Sequence, residues 1–163
     1  MKKAFQYILG LHIRCVMMVL VVLFLLVACD FHAGSSRQLK KEVDSFAVYY
    51  FNWQFHKAVR FVTPESEKWM SYAASQVHQA DIDLLQQKEL PATCEIQEIT
   101  YDDTLFSAIA HVTIRNYLRM DTIGKEASVI DVANFDIPLS YHSQSDKWIV
   151  NINELPRPLK NQK

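Results

Sequence analysis

Cysteine and histidine are the residues here best able to do chemistry alone, and their spacing excludes more than it offers. His32, His56, His78, His111 and His142 form no HxH or HExxH arrangement, and none has a cysteine at zinc spacing. No metal is expected from them. A phosphate-cradling loop needs several glycines, but beyond Gly34 only Gly124 remains. No GxSxG elbow for a nucleophilic serine is present, and no cofactor is expected. Cys15 and Cys29 lie in the first thirty residues, and Cys94 is the one cysteine beyond them. Cys94 reads either as a reactive thiol or as a small buried hydrophobe, and the alternating Ile96 favours the second.

Cys29 is the cysteine with a context. Val16 to Ala28 carries no polar residue, and the only charges ahead of Cys29 are Lys2, Lys3 and Arg14. A bilayer-spanning helix needs about 20 apolar residues, whereas a shorter run behind positive charge has the proportions of a signal peptide. An uncleaved anchor over residues 4–28 would bury Gln6, His12 and Arg14 in lipid, each at a cost. A core helix of a soluble domain is the third reading. Leu26-Val27-Ala28-Cys29 resembles the lipobox of bacterial lipoproteins. That resemblance implies cleavage after Ala28, diacylation of the Cys29 thiol and acylation of the new amine. It also implies a place in the bacterial cell envelope, with the domain in the periplasm or at the cell surface. Stable anchoring takes two or more acyl chains, at about 0.8 kcal/mol per buried methylene. Asp30 is an inner-membrane retention signal in one sorting scheme, but other bacterial groups do not use that rule, so the membrane stays open.

Beyond residue 28 the chain holds 14 basic and 18 acidic residues, a net charge of about −4. Nucleic-acid binding needs clustered Lys and Arg. Arg37, Lys40 and Lys41 are the nearest approach, so no nucleic-acid partner is expected.

The elements that would position any site follow from periodicity. Residues 29–37 read as the lipidated cysteine and a flexible tether around Gly34. Leu39, Val43, Phe46, Ala47 and Tyr50 fall on one helical face, and Asn52 interrupts them. A short second helix carries Trp53, Phe55, Ala58, Val59 and Val62. Thr63-Pro64-Glu65 restarts a third, with Thr63 as cap and Pro64 at the first helical position. That helix reaches about Lys88 with a break near His78, its inner stripe Trp69, Ala73, Val77, Ala80, Leu84 and Leu85. Strands follow. One runs from Thr93 to Tyr101 with a slip in its alternation, which is how a bulge reads in sequence. Another runs from Phe106 to Met120. A third spans Val129 to Tyr141, with a slip near Ala133 and Asn134. Trp148, Val150 and Ile152 form the last, and residues 154–163 read as a loose tail. Helices followed by an antiparallel meander mean α+β: N-terminal helices packed on a curved antiparallel sheet of about four strands, over residues 38–153.

Phe46-Ala-Val-Tyr-Tyr-Phe-Asn-Trp-Gln-Phe-His-Lys-Ala58, Phe61-Val-Thr-Pro64 and Lys147-Trp-Ile-Val150 together resemble the nuclear transport factor 2-like (cystatin-like) fold. The chain is similar to small bacterial lipoproteins of that superfamily, near its lumazine-binding-like group of uncharacterised domains. A glycine-aspartate turn common between the first two helices is replaced by Asn52-Trp53-Gln54.

The resemblance implies a cone that in some relatives, such as ketosteroid isomerase and the dehydratases, holds an acid–base pair. That chemistry needs an Asp or His base facing an apolar cavity, with a neutral donor opposite. His111 or Asp131 would be the base, and Tyr101 or Tyr117 the donor. The relatives' catalytic motifs do not map residue by residue, so no catalytic residue is assigned. Tyr50, Trp53 and Trp69 would line the same cone, or fill it as core. Three functional readings stand: a tethered binding module for a small hydrophobic ligand or an envelope protein, a dimerising accessory pairing through its sheet face, and an acid–base enzyme.

Overall fold

The computed structural model describes residues 33–102, 104, 106–120 and 127–160. The apolar run, Ala28 and Cys29 lie outside these residues. So do residues 121–126, between the second and third expected strands.

Helix α1 spans Ser36–Phe51, and the Ser35 hydroxyl caps it by accepting from Gln38 N at 3.4 Å. The predicted face is the one it buries: Leu39, Val43, Phe46 and Ala47 have no exposed surface. Helix α2 (Phe55–Ala58) is a single turn and runs into a 3-10 turn, Val59–Phe61. The expected third helix is three pieces. Pro64–Ser66 is a 3-10 turn, α3 is Glu67–Ser75 and α4 is Gln79–Gln87. The break falls at His78, whose backbone N–H donates to the Asp81 carboxylate at 2.9 Å. Thr63 is not the backbone cap its sequence suggests. Its hydroxyl pairs instead with that of Ser66, at 2.9 Å. The inner stripe also shifts: α3 buries Met70 and Ala73, Trp69 is half-buried, and Ala80 is exposed.

Four antiparallel strands follow in the order β1 (Thr93–Asp102), β2 (Ser107–Arg119), β3 (Ser128–His142) and β4 (Lys147–Val150). The β1–β2 register shifts between Ile96 and Glu98, where the alternation slips. On β3 the slip expected near Ala133 and Asn134 is absent from the pairing: both residues pair in continuous register with Ile114 and Thr113. The β2–β3 strands keep one register from Ser107–Ser140 to Arg119–Ser128, skipping only the pair Asn116 and Asp131, and Asn116 is left-handed at φ 52°.

One side of the sheet packs on the helices through Ala110, Val112, Ile114, Phe135, Ile137, Leu139 and Trp148. Burying each larger side chain among them is worth roughly 1.5–3 kcal/mol. The edge of β4 is covered: Thr63 N donates to Val150 O at 2.9 Å, and Val62 bridges to Val150. The stretch expected as a loose tail is held along β3 where β4 ends. Asn151 N donates to Pro138 O and Leu159 N to Asn134 O, at 2.9 and 2.8 Å, and Leu155 packs on the core. The last residues of the expected tether are held as well, because Ala33 O accepts the Trp148 indole N–H at 2.8 Å.

Candidate functional site

The C-terminal end of α1, the short helices after it and the Arg119 end of β2 enclose a cavity of about 800 Å³. Asn52 builds its α1 corner. Its amide donates to Val48 O (2.8 Å) and Ala92 O (2.9 Å), while its carbonyl accepts from Ala92 N (2.8 Å), fastening the helix end to the approach to β1. This reverses the chain so sharply that Trp53 adopts the left-handed conformation, φ 59°. Such backbone suits glycine and strains a large residue. Hydrogen bonds from Trp53 N to Tyr50 O (3.0 Å) and from Gln54 N to Tyr49 O (2.8 Å) hold it there. The Trp53 indole N–H donates to Leu118 O at 3.3 Å, joining the turn to the end of β2.

Four of the residues singled out from sequence line this cavity: Tyr50, Trp53, Trp69 and Tyr117. Phe51, Phe55, Tyr72 and Phe135 add further rings, and the Glu154–Pro158 stretch forms another wall. Tyr72 sits one helical turn from Trp69, a spacing that could have flagged it. The C-terminal wall carries no such signal, because only tertiary contact brings it there. Burial pushes the Tyr50 phenol above its ordinary range. It does the same to Tyr117, with Arg119 working in the opposite direction. The Trp69 indole nitrogen is buried without a hydrogen-bond partner. Among the charged lining residues, Arg157 pairs with Glu154 at 3.2 Å on the surface.

Tyr101, His111 and Asp131 lie elsewhere. Tyr101 is at the opposite end of the sheet, its ring 5.8 Å from that of Trp148. Asp131 is exposed, at the position of β3 that the β2–β3 pairing skips. His111 points away from the cavity and pairs with Asp136, Nδ1 to Oδ1 at 2.7 Å, while its Nε2 is 3.2 Å from Thr100 Oγ1. His111 and Asp136 are each more than a third exposed. The expected acid–base set of His111, Asp131, Tyr101 and Tyr117 is therefore not assembled: only Tyr117 faces the cavity. The cause is strand parity. On β2, Ala110 and Val112 face the helices, so His111 between them faces out.

Cys94 is half-buried and unpaired, and burial, reinforced by Asp44, pushes its thiol up to about 12. That suits a packed hydrophobe rather than a nucleophile. Among the described residues no three His, Cys, Asp or Glu side chains converge as a metal site. No described helix is long and apolar enough to cross a membrane.

No family model matches the chain, and no curated protein does. Among solved structures it is similar to a protein of unknown function with a cystatin-like fold from Methylobium petroleophilum. The two share 9% identity over 80% of this chain and 82% of that one, with a TM-score of 0.44.

Proposed function

We propose that this chain is a bacterial envelope lipoprotein, held to a membrane through acylated Cys29, whose domain binds a small and largely apolar ligand in the aromatic cavity. The anchoring half rests on the sequence around Leu26-Val27-Ala28-Cys29. The observation that carries the binding half is Trp53. A large side chain occupies a left-handed turn where glycine would be relaxed, and its ring lines the cavity. Strain kept at a concave aromatic site points to a function for the side chain. The volume falls in the range of small-molecule sites, and most lining residues are aromatic or apolar, although Arg119, Glu154, Arg157 and backbone groups make nearly half of the exposed lining polar.

Native mass spectrometry of the protein extracted from its own host membranes tests both halves. Extra mass that dissociates on denaturation, and that Trp53→Gly removes while leaving the protein folded, is the expected result. A clean apo protein would sink the binding half. For the anchor, Cys29→Ala should leave an unprocessed precursor without acyl mass; a cleaved product from that variant would overturn the lipoprotein reading.

A further inference from the structure

We infer that the end of the domain opposite the cavity, centred on Phe106 and Tyr141, lies against the membrane surface, with the Phe106 ring entering its interfacial layer. This rests on the proposed lipidation of Cys29. Only Asp30, Phe31 and His32 separate Cys29 from Ala33. Four steps of about 3.8 Å between successive Cα atoms span at most roughly 15 Å. Ala33 cannot drift to use more chain, because its carbonyl accepts the Trp148 indole N–H at 2.8 Å and Trp148 is 1% exposed. Gly34 follows at φ 69°, and a Cβ there would come within 2.7 Å of the Tyr141 ring. The tether is therefore docked from Ala33 onward, and the Tyr141 end must stay within a few residues' reach of the lipid.

What this end presents fits a lipid surface. Phe106 is 55% exposed and left-handed at φ 48°, in the turn between β1 and β2. Its ring stacks on Tyr141 at 6.3 Å between centroids, and its carbonyl accepts from Tyr141 N at 2.8 Å. Tyr141 thus touches both the docked tether and the exposed phenylalanine. Tyr and Phe are suited to the boundary between water and hydrocarbon. Charges of both signs flank this end, Asp102 and Asp146 against Lys147 and the Arg37 beside the Gln38–Trp148 contact, so the attraction argued here is that of the aromatic pair, which a zwitterionic bilayer isolates. The cavity opens at the other end of a sheet whose first strand is ten residues long, roughly 30 Å away.

The test uses the full lipidated protein in phosphatidylcholine vesicles carrying brominated acyl chains. Phe106→Cys is compared with Leu90→Cys, each labelled with an environment-sensitive fluorophore. Leu90 is 63% exposed and precedes the far end of β1. Both variants also carry Cys94→Ala, because Cys94 is a free and only half-buried thiol. Quenching several-fold stronger at position 106 than at 90 is expected, and Gly34→Val, which unseats Ala33, should erase the difference. Co-flotation with vesicles is read first. Protein that does not float defeats the lipid anchor and this inference together. Protein that floats with equal or no quenching at the two positions overturns the orientation alone.

Discussion

The two ends of the helix-facing side of the sheet are both built from aromatic residues, yet they do opposite things. At the β4 end, Tyr101, Tyr141 and Trp148 seal the fold. Trp148 is 1% exposed, its ring lies 5.5 Å from that of Tyr141, and its indole and backbone N–H groups donate to Ala33 O and Gln38 Oε1 at 2.8 Å each. At the Arg119 end, Tyr50, Trp53, Trp69 and Tyr117 line open volume, and the Trp69 indole nitrogen has no partner. Residue type is the same at both ends. What differs is whether a neighbour fills the space beside each ring; at the open end the Trp53 indole is bonded to Leu118 O but that of Trp69 is not bonded. A sealed end can afford no misfit, whereas a lined cavity leaves surface for something else to cover.

Five substitutions test that contrast. Trp148→Ala should have the largest effect, about 3–5 kcal/mol of stability by urea denaturation, as expected for truncating a fully buried aromatic. Trp69→Ala, at a half-buried ring beside empty volume, should cost well under half of that. Equal losses would mean that the two ends are both core.

The cavity wall offers the intermediate case. Ser66 has no exposed surface; its hydroxyl donates to Ile152 O and accepts from Ile152 N, both at 3.0 Å, just ahead of the Glu154–Pro158 wall. Ser66→Ala strands two buried backbone groups, a loss of about 1–3 kcal/mol. It should also speed hydrogen exchange at Leu159, whose amide donates to Asn134 O. Unchanged exchange would show that the wall holds without this anchor.

The smallest effect emerges only in alkali. Burial raises the folded-state pKa of Tyr50 above its ordinary 10.0, and takes Cys94 from 9.0 to about 12. A raised pKa means that the folded state keeps its proton while the unfolded chain loses it. Stability is therefore intact below about pH 9 and declines as pH rises toward 12. Tyr50→Phe should flatten the part of the decline above pH 10. Tyr141→Phe should change it little, because that phenol is at the surface and owes its raised pKa first to its hydrogen bond with Asp146. The reverse ranking, in chemical denaturation at pH 8 and 11, would place the titrating burden at the sealed end.

Most of the fold was legible in local pattern. The α1 face, the start at Pro64, the four strands and the bulge in β1 are written in short-range periodicity, since a helix or strand must put its apolar residues on one side to bury them. The site was legible only in part. Tyr50, Trp53, Trp69 and Tyr117 could be named because large aromatic residues gather where elements meet. Tyr101 looked equivalent and went to the other end, because being on the inner face of a strand does not say which end of the sheet a residue occupies. The pairing of His111 with Asp136 depends on strand register, which no single strand encodes.

The sequence by itself determined the helix-then-strand order, the inward faces and the signal-like segment ending at Cys29, because each follows from composition and spacing within a few residues. Tertiary structure alone decided that Ala33 docks on Trp148 and that residues 154–158 wall a cavity. It also decided that Trp53 holds a left-handed turn. Each of these depends on groups far apart in the chain meeting at hydrogen-bond distance, a match that local pattern cannot specify.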